Sequence, residues 1–290
     1  MQTRNPIFKR KSSPTMEGAG VALHRAIGHG DVPMFDPFLL LDDFRSTHPA
    51  DYRKGFPWHP HRGIETITYL IQGAVEHSDS LGNSGVINSG DVQWMTAGSG
   101  IIHQEMPQVK PDVIILGFQL WANLPASHKM MKPRYRDIKS NTIPEMLTTN
   151  GCKVRVICGT FNNTTGPVTD IVTDPEFFDI EIPPQTEFRH TVKKGYTVFC
   201  YVIDGGGYFS DKTADALTMD KSFAENRTLV LLGEGDQFVV HTRDENIRFL
   251  FLSGKPIGET VAWYGPIVMN TQSEIEIAFE EYDRGTFIKK

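Results

Sequence analysis

The chain has 290 residues, 39% of them apolar and 22% charged, with 26 glycines and 18 prolines, a composition that fits a turn-rich globular protein and excludes a disordered one. A net charge of −6 removes the overall positive field that direct nucleic-acid or anionic-membrane binding needs. No apolar run nears the roughly 20 residues of a bilayer span.

At the N-terminus, Arg4, Lys9, Arg10 and Lys11 occur without an apolar h-region, so no secretory signal is read there. Cys152, Cys158 and Cys200 lack CxxC spacing and cannot all pair, which points to a reducing compartment. The expected location is the cytoplasm. Lys9-Arg10-Lys11 reads as a solvated tail, or as a weak nuclear address in a eukaryote.

Between residues 35 and 122, short apolar or alternating runs are broken by turn signals: Phe38–Leu41, Thr66–Ile71, Gly85–Ile87, Val92–Thr96 and Val113–Trp121. Such spacing predicts an all-β sandwich or barrel. Residues 122–150 turn polar and basic, with Pro125, Pro133 and Pro144, and read as a linker. Strand-like runs then resume at Lys153–Cys158, Phe177–Ile182, Thr197–Ile203, Thr228–Leu232, Gln237–His241 and Arg248–Leu252. The segment Gly63–Gly73 matches Gly195–Gly205 in length, with glycine at both ends, and Gly90-Asp91 matches Gly235-Asp236. We therefore expect two copies of one β-unit, residues 1–134 and 135–290. Near the C-terminus, Thr271 and Glu274 form a capping box, and Ile275, Ala278, Phe279 and Tyr282 share one helical face. A short amphipathic helix ending near Gly285 is expected, packed on the sheet.

Ten histidines occur, and seven of them (His24, His29, His48, His77, His128, His190 and His241) read as surface or structural. The exceptions are His59-Pro60-His61 and His103-Gln104-Glu105. Residues i and i+2 of a strand point to one face, so two such pairs on facing strands can present three imidazoles and a carboxylate to one metal ion. That set suits Fe, Mn, Ni, Cu or Zn rather than Ca or Mg. Glu65 is the rival carboxylate: a turn at Gly63 can bring it back toward His61, and spacing alone leaves the choice open. In the second half the repeat places Thr191 and Lys193 opposite His59 and His61, and Arg248 and Leu250 opposite His103 and Glu105. That quartet holds no comparable site, so the first unit is the metal unit.

Five segments carry a resemblance: Asp36–Phe44, His59-Pro-His-Arg-Gly-Ile-Glu-Thr66, Gly90-Asp-Val-Gln-Trp-Met-Thr-Ala-Gly-Ser-Gly-Ile-Ile-His-Gln-Glu-Met-Pro107, Leu232-Gly-Glu-Gly-Asp236 and Gly265-Pro-Ile-Val-Met-Asn-Thr271. They span nearly the whole chain, which closely resembles the pirin family of the cupin superfamily. Thr96, where cupins commonly have proline, and the longer run from Gly98 to His103 are pirin traits. The resemblance implies an all-β bicupin of two β-barrel (double-stranded β-helix) domains with a short C-terminal helix. It implies a mononuclear Fe(II) site formed by His59, His61, His103 and Glu105, other divalent transition metals being compatible. Glu65 falls at the general cupin carboxylate position, which in pirins is not the ligand. A monomer is also implied.

The implied activity is quercetin 2,3-dioxygenation, in which a flavonol binds through its 3-hydroxyl oxygen and dioxygen opens the heterocycle with loss of carbon monoxide. Glu105 would serve as ligand and as acceptor of the hydroxyl proton. Phe56, Trp58, Trp94, Met95 and Met106 are candidates either for an aromatic pocket or for barrel core; Arg62 and Gln104 should point away from the metal. The competing reading is a non-enzymatic, metal-dependent regulator of a protein partner, a transcription complex or a metabolic enzyme. An open cavity at the metal favours the enzyme, and a basic patch beside it favours the regulator. A complete ligand quartet weighs against a cupin isomerase or an empty scaffold.

Overall fold

The computed structural model describes residues 2–109, 114–211 and 221–289; Val113, the first residue of one predicted strand, lies outside them. Contacts divide the chain into two units. One holds Ser13–Ser140 and Ile257–Lys290, the other Met1–Ser12 and Asn141–Pro256. Both are built of strands, and among the described residues the helix longer than four residues is Gln272–Asp283. The division differs from a single cut after residue 134, because each terminal segment joins the other half's strands. Pro6–Lys11 pairs with Thr228–Leu232. The C-terminal helix packs Ile275 and Ala278 against Ile267, Met269 and Phe287 of its own segment, with Ile102 of the strand Ile101–Pro107 beside them. Thr271 and Glu274 cap it reciprocally, as the sequence requires.

In the unit containing the histidine pairs, seven strands form one sheet in the order Arg134–Ile138, Val92–Thr96, Ile64–Gln72, Leu116–Asn123, Phe38–Asp43, Val21–Ile27 and Ser13–Glu17. A second sheet orders Phe56–His61, Ile101–Pro107, Ala74–Asp79 and Ser84–Asn88. Leu23 and Leu70 from the first sheet, with Phe44 just beyond Phe38–Asp43, pack against Val75 and Ile87 from the second, which closes a barrel around an apolar core.

The other unit repeats this order strand for strand: Pro6–Lys11, Thr228–Leu232, Thr197–Tyr208, Ile247–Gly254, Glu176–Ile182, Lys153–Cys158 and Glu145–Leu147. The glycine-bounded repeat is in register, since Ile67 pairs with Leu120 and Phe199 with Leu252. Gly90-Asp91 and Gly235-Asp236, however, open different strands. The strand equivalent to Ile101–Pro107 is Gln237–His241, which pairs with Glu187–Thr191. Gln237, not Arg248, therefore faces Thr191 in the way His103 faces His59. The interior of this barrel is filled by Phe178, Phe188, Phe209, Phe238, Phe249 and Phe251.

Candidate metal centre

His59, Pro60 and His61 lie on Phe56–His61, the edge strand of the four-stranded sheet, where proline removes no ladder hydrogen bond. Its neighbour, Ile101–Pro107, alternates buried and half-buried residues and sends His103 and Glu105 to the interior. His59 and His103 are direct cross-strand partners. Between His103 and Glu105 the ladder slips, so that Glu105 pairs with Phe56; such irregularities re-aim side chains.

One donor atom from each of His59, His61 and His103 lies within 4.8 Å of the others. The His59 and His61 Nε2 atoms are 3.0 Å apart, as are those of His59 and His103. Two nitrogens each about 2.1 Å from a metal and at right angles around it would be separated by about 3.0 Å, so the spacing suits a shared ion. Nδ1 of His59 donates to the Pro57 carbonyl at 2.8 Å, and Nδ1 of His61 to the Pro266 carbonyl at 3.0 Å. A neutral imidazole has one N–H, so both Nε2 lone pairs point at the same place. Burial holds all three imidazoles below the usual histidine range, His61 and His103 well below it, with the neighbouring rings adding to the effect. They are neutral near pH 7, the state a metal requires.

Glu105 is buried on the same strand, and Thr68 donates to its Oε1 at 2.7 Å. Burial pushes its carboxyl up to about 7, against the pull of that hydrogen bond. It lines the same cavity as His59 and His61, but the mutually close set of donor atoms consists of the three histidines. Glu65 is directed elsewhere. Its Oε1 accepts from Thr96 at 2.6 Å and lies 4.0 Å from Arg134.

His59, His61 and Glu105 stand at the wall of a cavity of about 750 Å³, within the range of sites for drug-sized molecules, with His103 buried behind them. Phe44, Phe56, Trp121 and Trp263 supply its aromatic lining, while Glu17, Arg25 and Asp42 supply a polar rim. Arg25 holds Asp42 with two hydrogen bonds of 2.8 and 2.7 Å and pairs with Glu17 at 2.8 Å. Of the five expected aromatic or thioether residues, Phe56 lines this cavity. Trp94 and Met95 are core, and Trp58 is half exposed. Trp121 sits edge-on to His61 at 5.0 Å. Trp263 belongs to Trp263-Tyr-Gly-Pro266, two aromatics before a turn, the signal that could have found it.

Arg62 points away from the triad, as expected, and binds the carbonyls of Ser99 and Phe287 and the carboxylate of Glu281. Two of the seven set-aside histidines belong to the site's surroundings. His29 lines the cavity and meets Trp263 at 5.2 Å. His77 lies 3.3 Å from Asp79 and 5.4 Å, ring to ring, from His103. His77-Ser-Asp79 has the same i, i+2 spacing as the two chosen pairs, and it was legible in the sequence.

The Pirin family model matches residues 20–122, and that of the Pirin C-terminal cupin domain matches residues 177–288. The chain belongs to the pirin family of the cupin superfamily. A pirin-like protein of Caulobacter vibrioides is 41% identical over 284 residues, 97% of this chain and 99% of that one. Among solved structures, a quercetin 2,3-dioxygenase from Acinetobacter baumannii superposes with a TM-score of 0.88 at 31% identity, covering 99% of both chains. The bacterial pirin YhhW from Escherichia coli, solved in complex with nickel(II), shares the fold at a TM-score of 0.64 and 18% identity, covering 86% of this chain and 98% of that one. The Pirin model lies within the unit that holds the three clustered histidines, and the C-terminal model runs from the other unit into Ile257–Lys290.

Proposed function

We propose that this pirin is a mononuclear metal dioxygenase of the quercetin 2,3-dioxygenase type, with iron held by His59, His61, His103 and Glu105. The observation that carries this reading is the convergence of the three Nε2 atoms beside a ligand-sized, aromatic-lined cavity that His59 and His61 line. The likeness to the Acinetobacter baumannii dioxygenase supports it. Bound iron would supply redox chemistry toward dioxygen and would acidify a coordinated hydroxyl. The residues do the rest. Phe44, Phe56, Trp121 and Trp263 provide faces against which a planar flavonol can stack. Pro57 and Pro266 hold the His59 and His61 rings in the ligating tautomer. Glu105, with Oε1 engaged by Thr68, has its other oxygen for the metal and for the substrate's hydroxyl proton.

The cavity's rim carries both signs of charge, which favours a small-molecule site over a basic docking patch for a regulated partner. None of the three cysteines is in a disulfide, and we place the protein in the cytoplasm on that ground. Quercetin-dependent oxygen uptake by Fe(II)-loaded protein tests the proposal, run beside His103→Ala with metal content assayed. Uptake that disappears together with the metal supports dioxygenation. Iron at one per chain without uptake overturns it in favour of a metal-dependent regulator.

A further inference from the structure

Thr68 stands at a junction between the two sheets of the metal unit. It lies on Ile64–Gln72, is 2% exposed, and its cross-strand partner on Leu116–Asn123 is Gln119. Its hydroxyl oxygen is 2.7 Å from Glu105 Oε1, which comes from the facing sheet, and 2.8 Å from Gln119 Oε1. A hydroxyl has one proton to give, whereas an ionised carboxylate and an amide oxygen can only accept. Both contacts cannot be donated by Thr68. The amide resolves the conflict, because its oxygen and nitrogen can exchange places, their assignment following from the hydrogen-bond network. Gln119 Nε2 then donates to Thr68, and Thr68 donates to Glu105.

This chain gives Glu105 a fixed direction. Among the described residues, the Thr68 contact is the hydrogen bond that the Glu105 side chain makes. The carboxylate is otherwise set by burial alone, in a cavity whose wall it shares with Gln119. We infer that Thr68 is the positioning residue for Glu105: it occupies Oε1, leaves the second oxygen to the metal, and is itself oriented by Gln119. The inference rests on the metal reading proposed above. It goes further in assigning a function to two residues that touch neither the three imidazoles nor the ion.

Anaerobic titration with Co(II), followed by visible absorption, tests the inference without turnover. The proteins are the wild type, Thr68→Val, Thr68→Ser, Gln119→Leu, Glu105→Gln and His103→Ala. Removing a group that orients a ligand costs about 10- to 100-fold in metal affinity. Thr68→Val is expected to lose that much and to shift the visible band toward that of Glu105→Gln. Thr68→Ser, which keeps the hydroxyl, should restore both, and Gln119→Leu should shift the band in the same direction by less. Rescue by serine separates positioning from packing, and Thr68→Ser with Gln119→Leu carries the test should Thr68→Val not fold. Wild-type affinity and spectrum in Thr68→Val, with Glu105→Gln altered, overturn the inference and leave the metal site standing. An unaltered Glu105→Gln removes Glu105 as a ligand and the inference with it. Binding that survives in His103→Ala, or is absent from the wild type, defeats the metal reading itself.

Discussion

Gly63 and Val268 approach so closely that a Cβ on Gly63 would stand 1.9 Å from the Val268 carbonyl oxygen, and Gly63 has a φ of +78°. Two residues after His61, the chain turns where only glycine fits. The amide of Val268 donates to the Arg62 carbonyl at 3.1 Å, so the contact also seats the C-terminal hairpin on the metal strand. Gly63→Ala is expected to destabilise the protein by at least about 3 kcal/mol, from the collision and the left-handed backbone together. A fall in the urea midpoint with a parallel loss of bound metal would show it; an unchanged midpoint would refute it.

Single alanine substitutions at His59, His61 or His103 should take metal content from about one ion per chain toward zero with the fold kept. Metal analysis beside far-ultraviolet circular dichroism decides this. Full occupancy in any one of the three would remove that residue from the ligand set.

The two buried carboxylates should behave differently. Glu65 is committed to Thr96 and lies near Arg134, so Glu65→Gln is expected to bind metal as the wild type does while losing some stability. Glu105→Gln should weaken metal binding by roughly tenfold or more. Equal affinities in the two variants would contradict the assignment.

Trp121→Ala removes an aromatic wall beside His61 without touching a ligand. Flavonol binding should weaken by about 1–3 kcal/mol while metal stoichiometry holds. Fluorescence titration with a flavonol measures the first and metal analysis the second; undiminished flavonol affinity would move the substrate elsewhere.

Lys129 is buried, and its ammonium donates to Gly63 O, Asn123 Oδ1 and Val268 O. Burial brings its pKa down to about 8, with Glu259 and Glu274 pulling the other way. In the unfolded chain a lysine titrates near 10.4. Between those values the unfolded state binds more protons, so stability rises with pH across that window and the full cost of the buried charge is felt below pH 8. Lys129→Met should remove a rise on the order of 1–2 kcal/mol in metal-free protein between pH 8 and 10. Parallel denaturation curves for the two proteins at both pH values would refute it.

Much of this was legible in the residues. The i, i+2 spacing of the two motifs pointed to the histidines that the structure clusters, His59, His61 and His103, and the Thr271–Glu274 capping box marked the helix start. The glycine-bounded repeat located one equivalent strand pair correctly. It failed beyond that because a Gly-Asp step is a generic strand opener, and Gly90-Asp91 and Gly235-Asp236 precede strands at different places in the barrel order. The cavity lining was less legible, since Trp263 comes from a hairpin more than a hundred residues after the last candidate ligand. The exchange of terminal segments had no local signature, because strand partners distant in sequence leave no periodicity.

The assignment of Ile257–Lys290 to the metal unit also sets an order of events during synthesis. Every candidate ligand has left the ribosome before the hairpin carrying Pro266, which fixes the His61 ring, has been made. The first strand, Pro6–Lys11, likewise waits for its partner Thr228–Leu232. The pocket's last wall is therefore made after the whole of Asn141–Pro256, so the strands of the other unit are synthesised before the candidate site is complete.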